Sequence, residues 1–220
     1  MANPEHVARL LQGGVEAWNK FRRTNPMVIP DLSQADLSGY DLTLADLSRA
    51  NLTRADLSDA YLFRVDFTEA DLSGANLTES DILEANLIKA ILSHAIMPRV
   101  DLTGSGLIRA DMTGADLRWA NLTRASLPWA CLRHANLAQA NLFMADLREA
   151  DLTEANLESA SLHHTSLTGA RLIRTNLQHT MHLDEERLLK AKSWQDALLD
   201  PGLMERLLRQ ARNHHHNSQP

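Results

Sequence analysis

The chain has 220 residues, 44% of them hydrophobic but only 5% aromatic, so its apolar volume must come from Leu, Ala and Met packed in a narrow, regular interior. A formal net charge of −6 argues against a phosphate-binding surface, which needs clustered Lys and Arg. The single cysteine, Cys131, excludes an internal disulfide and suits a reducing compartment.

Residues 1–29 read as an N-terminal capping helix and linker. Met1 to Leu11 mixes acidic and basic residues and lacks the apolar run of a signal peptide. No segment has the length of apolar residues that a membrane span requires, and a soluble cytoplasmic protein is expected. Asn3-Pro4 pairs an N-cap with Pro at the first helical position. Val7, Leu10, Leu11, Val15, Trp18 and Phe21 follow as an apolar stripe at helical spacing. Gly13-Gly14 predicts a weak or kinked point. Trp18 and Phe21 are expected to cover the next element, with Tyr40 admitted where its core begins.

From Asp31 the chain reads DLSQA-DLSGY-DLTLA-DLSRA-NLTRA-DLSDA, and the frame holds to Asn176-Leu177. Large apolar centres fall at 32, 37, 42 and every fifth residue to 177, which makes 30 centres, 26 of them Leu. The others are Phe67, Ile82, Met97 and Met112. Two residues before each centre, Ala fills 22 of 30 positions. A period of five fits neither the helical period of 3.6 nor the strand period of 2.0. It requires a chain that turns regularly and sends one large and one small side chain inward each time. Asp, Asn, Ser and Thr flank the centres, and these are residues whose side chains support turns.

This A-(D/N)-L-(S/T)-X tandem, over residues 30–181, resembles the pentapeptide-repeat proteins. The resemblance implies an all-β solenoid: a right-handed quadrilateral β-helix with four pentapeptides per coil, about 7.5 coils here, between N-terminal and C-terminal α-helical caps. The W-N-x-F-R run (Trp18, Asn19, Phe21, Arg22) and the A-K-S-W-Q-x-A-x-x-D-P run (Ala191 to Pro201) look like caps of bacterial members, of which cyanobacteria hold many.

The frame ends at His182. Asp184 can cap a helix over 185–192, Ser193 to Leu199 can form a short helix, and Asp200-Pro201 can start another reaching about Arg212. Leu183, Leu188, Leu189, Trp194, Leu198, Leu203, Leu207 and Leu208 exceed what one small cap needs. Residues 182–213 are therefore a C-terminal helical cap or a dimerisation element. Residues 214–220, opening with His214, His215 and His216, read as a disordered tail.

Catalytic signatures are missing: the chain carries no Gly-rich phosphate loop, HExxH, paired CxxC or G-x-S-x-G. Most Asp residues precede a centre, where the repeat itself places them as turn or ladder residues. His94 and His134 share a face but sit two coils apart, roughly 10 Å, too far to bridge one ion. No catalytic, cofactor-binding or metal-binding residue is assigned. Residues twenty apart should stack, so that Asp36 lies beside Asp56 and Asp81 beside Asp101.

The informative outliers are apolar. Leu44, Phe63 and Leu83 line one face, and Ile88, Ile108, Pro128 and Trp129 line the next. Ile91, Ile96 and Pro98 continue around the middle coils near Trp119. These side chains are a candidate contact surface, or they stack across coils and stabilise the sheet. The leading functional expectation is a non-catalytic protein-interaction scaffold whose partner is an unidentified protein or a second copy of the chain, with no nucleic acid or membrane bound. The alternative is a DNA mimic that modulates DNA gyrase, as some members of the resembled family do. Residues 31–180 hold 20 acidic and 12 basic residues, the sign mimicry needs, yet arginines interrupt the surface throughout.

Overall fold

The computed structural model describes residues 1–216. Each pentapeptide performs the same manoeuvre. Its centre points inward, and all 30 centres are buried. The next two residues turn the chain, and the turn is closed by a hydrogen bond such as Ala35 N–H to the Leu32 carbonyl at 3.1 Å. The second turn residue has positive φ in every unit, at 25 non-glycine residues and 5 glycines. A left-handed conformation costs a non-glycine residue roughly 1–2 kcal/mol. Stacking offsets that strain, because the same residue donates its N–H to the coil above, as Gln34 does to Thr53 at 2.9 Å.

The Asp or Asn before each centre closes the turn from outside. Asp46 Oδ1 accepts the Ser48 N–H at 3.1 Å and the Ser48 hydroxyl at 2.6 Å. This pairing explains the D/N-L-S/T grammar: the carboxylate or amide oxygen mimics a backbone acceptor two residues on. Asn also ties coils together, as when Asn76 Nδ2 donates to Asp56 Oδ1 at 3.0 Å.

Coils stack in a twenty-residue parallel register, from Asp31 with Asn51 through Ser161 with Met181. We number the four faces by their first bridged residues, Asp31, Asp36, Asp41 and Asp46. Each face contributes one bridged residue per coil, and among the described residues none extends into a strand. The β character is therefore a ladder of single bridges. The stacked carboxylates include Asp36 on Asp56 and Asp81 on Asp101, and also Asp46 on Asp66.

The small inner position is buried in every unit but one. Tyr40 is 44% exposed, which overturns its expected place in the core. The space beside a buried Leu admits Ala, and a phenol ring must turn outward. Buried hydroxyls at other such positions are satisfied by backbone. Thr165 and Thr175 donate to the Leu142 and Leu152 carbonyls at 2.7 and 2.8 Å. Ser105 accepts the Ala85 N–H at 2.9 Å and donates to the Ile82 carbonyl, replacing a turn bond of the coil beneath.

Helix α1 (Pro4–Thr24) caps the first coil, with Asn3 accepting from Glu5 N–H and a kink at Gly14 (φ 72°). Leu10 and Trp18 are buried against the leucines. Trp18 Nε1 donates to the Asp46 carbonyl at 2.8 Å, and Asn19 accepts from Asp46 N–H and donates to the Leu44 carbonyl, both at 2.8 Å. Arg22 Nη2 donates to the Ser48 carbonyl at 2.7 Å. The W-N-x-F-R run thus replaces a missing coil with side chains.

At the other end the sequence frame breaks but the ladder continues. Lys192 pairs with Arg171 and Leu198 with Asn176, in registers of 21 and 22. Helix α2 (Glu185–Leu188) is shorter than the 185–192 helix expected, because the chain leaves it to rejoin the ladder. A 3-10 turn (Trp194–Asp196) buries Trp194, and α3 (Leu203–His216) follows. The helix reaches three residues into the segment expected to be disordered, and 217–220 lie outside the described residues. Leu188, Trp194, Leu203 and Leu207 are buried within this chain, whereas Leu198 and Leu208 are exposed.

Candidate interaction surface

Only the bridged residue and the two turn residues of each unit reach the exterior, so the surface is a set of ladders with a repeat of twenty. The structure distributes the apolar outliers over all four faces. Leu44, Phe63 and Leu83 lie on the third face, with Leu44 exposed and the other two half-buried. Ile88 and Ile108 stack on the fourth face, half-buried, above which Pro128 is buried and Trp129 exposed. Ile91 and Ile96 occupy exposed bridge positions of the first and second faces, and Trp119 is exposed on the second. Leu83, Ile88, Ile91 and Ile96 fall on four successive faces, one turn around the tube.

Arginine accompanies the aromatic rings, a partnership that the apolar pattern alone does not disclose. Trp119 has Arg99 and Arg118 at 5.6 and 5.3 Å from its ring, and its indole N–H donates to Gln139 at 2.7 Å. Arg99 in turn pairs with Glu79 at 2.8 Å. One exterior ladder therefore runs Glu79, Arg99, Trp119, Gln139 without a break. Arg109 lies 5.8 Å from Trp129, and Arg64 lies 4.9 Å from Phe63. Each such cation–π contact at an exposed site is worth about 0.5–1 kcal/mol. Twenty-residue spacing was the available signal, since 99 precedes 119 and 109 precedes 129 by one coil.

Charges alternate along these ladders. Arg64 pairs with Glu84, Lys89 with Glu69 and Arg174 with Glu154, each across one coil. Asp116 is held below the usual carboxylate range chiefly by the Arg118 guanidinium. Asp31, Asp36 and Asp41 are lowered by hydrogen bonds from Ser33, Ser38 and Thr43. Their carboxylates serve turns.

A shallow cavity of about 220 Å³ beside Trp129 is lined by Pro128, Arg148, Glu149 and Thr168. His163 and His164 lie against Phe143, with His163 stacked on His164 at 4.1 Å and His182 5.1 Å from His163. Desolvation and then the neighbouring imidazoles push His163 down from its ordinary value. Among the described residues no group of three His, Cys, Asp or Glu is arranged to hold a metal ion. Cys131 occupies a bridge position, half-buried, 3.1 Å from Thr113 Oγ1. No helix among the described residues is long and apolar enough to cross a membrane.

A tube of stacked five-residue turns in a twenty-residue register, closed at each end by non-repeat segments, defines a β-solenoid repeat protein. The family model for pentapeptide repeats matches residues 31–68, 66–104, 101–139 and 140–178, and the chain belongs to the pentapeptide repeat family. No curated protein matches the chain. Among solved structures it is similar to HetL, a pentapeptide repeat protein involved in heterocyst differentiation regulation from the cyanobacterium Nostoc sp. strain PCC 7120. That match has 29% identity over 76% of this chain and 86% of that one, with a TM-score of 0.31. It is also similar to full-length QnrB1, a plasmid-mediated fluoroquinolone resistance protein, at 16% identity over 78% and 97% of the two chains and a TM-score of 0.44. A third is a thylakoid-lumen pentapeptide repeat protein of Arabidopsis thaliana, at 23% identity over 80% and 93%, with a TM-score of 0.23.

Proposed function

We propose that this protein is a non-catalytic scaffold, a right-handed four-sided rod that binds another protein through its exterior ladders. The observation that supports this most is the state of Trp119 and Trp129. They are 44% and 57% exposed, yet each is held against arginine on a rigid wall. Tryptophan and arginine carry much of the binding energy at protein interfaces, and rings already immobilised lose little entropy on binding. The test uses the Trp119→Ala, Trp129→Ala double variant and the unmodified chain as baits in extract of the native organism. A protein retained by the unmodified chain and lost by the folded variant supports the surface. A partner held equally by both overturns it.

DNA mimicry toward gyrase is the second reading, favoured by 20 acidic against 12 basic residues over 31–180. The cross-coil pairs weigh against it. Arg64 with Glu84, Arg99 with Glu79 and Lys89 with Glu69 interrupt any row of negative charge resembling a phosphate backbone. A gyrase supercoiling assay is expected to show neither inhibition nor quinolone protection. Inhibition would install mimicry in place of the scaffold reading.

A further inference from the structure

The two ends of the tube are finished differently. Inside the rod the N–H and the carbonyl of every bridged residue on the second and third faces both find partners, in the coil beneath; Asp56 N–H donates to the Ala35 carbonyl and the Asp56 carbonyl accepts from Leu37 N–H. In the first coil this holds for two faces only. Asp31 is sealed by the Asn3 N–H and His6 Nδ1, both at 3.0 Å. Asp46 is sealed by Trp18 and Asn19. Among the described residues nothing bonds the outward N–H and carbonyl of Asp36 and Asp41. Half of the end is a covered edge and the adjoining half is an open one.

An open edge is a template for another chain. The halves also differ in sign. Residues 36–45, which form the open half of the first coil, hold two acidic residues and no basic one, whereas residues 1–30 hold four basic and two acidic ones. Lys20 and Arg23 of α1 are exposed, as are Asp36 and Asp41 on the open half. Exposed Tyr40 and Leu44 add apolar surface beside that edge.

The geometry points to a two-fold, end-to-end dimer in which the occupant of the open half is a second copy of this chain. A two-fold axis along the boundary between the halves sets each helical, basic half opposite the partner's open, acidic half, so one surface is complementary to itself. Direct pairing of open edge with open edge would oppose Asp to Asp and is disfavoured. The inference is independent of the scaffold reading, because it uses neither tryptophan nor any outside partner.

The test is sedimentation velocity across a concentration series at low salt. The unmodified chain, 24.5 kDa, should form a species of twice that mass that dissociates as salt rises. Asp36→Lys with Asp41→Lys should weaken association by roughly tenfold or more, and so should Lys20→Glu with Arg23→Glu. Mixing these two variants should restore a dimer, since each then faces its opposite. In the unmodified chain the Asp36 and Asp41 amides should exchange more slowly as concentration rises. A monomer at every concentration overturns the inference. So does a dimer indifferent to both folded variants, or amide exchange that ignores concentration should a variant fail to fold.

Discussion

Trp18 Nε1 reaches across 28 residues of sequence to donate to the Asp46 carbonyl at 2.8 Å. The indole therefore does two things: its body closes the mouth of the leucine core, and its N–H occupies an acceptor that a preceding coil would have filled. Arg22 and Asn19 complete the same substitution on neighbouring atoms. A helix has no free backbone groups along its side, so it can cap a β edge only by lending it side chains.

Trp18→Ala should destabilise the protein by about 3–5 kcal/mol through the lost volume and the opened acceptor. Trp18→Phe, which keeps most of the volume, should lose about 1–3 kcal/mol. Denaturant unfolding of both variants measures the split. No loss in Trp18→Phe would show that the hydrogen bond contributes nothing, and equal losses would show that the buried volume contributes nothing beyond it.

Ser105→Ala is expected to destabilise by about 1–3 kcal/mol, although Ala is the family's usual residue there. The change leaves the Ala85 N–H and Ile82 carbonyl with no hydroxyl between them. Ser80→Ala should be milder, because Ser80 donates only to the Leu77 carbonyl of its own turn. Thermal unfolding of the two variants ranks them.

Leu122→Ala, at a fully buried centre, should cost about 2–5 kcal/mol. Leu44→Ala, at an exposed turn position of the first coil, should stay within about 0.5 kcal/mol. A comparable loss at both sites would contradict the division into inside and outside.

Acid should act in two steps. The imidazole of His163 is depressed below its ordinary 6.5, so the unfolded chain takes up its proton first. Stability from this group is whole above about pH 6.5 and declines as pH falls below it. The melting temperature should therefore fall between about pH 7 and pH 5, and His163→Asn should blunt the change. The depressed carboxyls of Asp31, Asp36, Asp41 and Asp116 give the second step. Their contribution is present above the ordinary 3.8 and is lost as pH falls through the lower folded values, which a melting series below about pH 4 detects.

The tube was legible because one steric rule repeats without interruption: a large side chain and a small one share each inward turn. Leu32 and Leu177 obey it as closely as Leu122 does. Tyr40 departs from the expected core position because the volume of the small site is fixed by Leu42 beside it, at the tube's beginning as elsewhere. The last rungs, Lys192 and Leu198, were invisible because insertions of one and two residues break the fivefold frame while leaving the backbone ladder intact. Exterior partnerships such as Arg99 with Trp119 follow from the register, but only when polar and apolar positions are considered together. Which partner meets that exterior depends on a second surface, and a single chain's own packing does not encode it.

The register itself is open to a direct chemical measurement. Ser73 and Ser93 face each other across one coil with their hydroxyl oxygens 3.2 Å apart, within the span a disulfide closes at the coil spacing of about 4.8 Å. In a Cys131→Ser background, Ser73→Cys with Ser93→Cys should oxidise to an intramolecular disulfide without loss of stability, and Ser73→Cys with Ser58→Cys should not. If the first pair stays reduced while the second closes, the twenty-residue stacking is wrong.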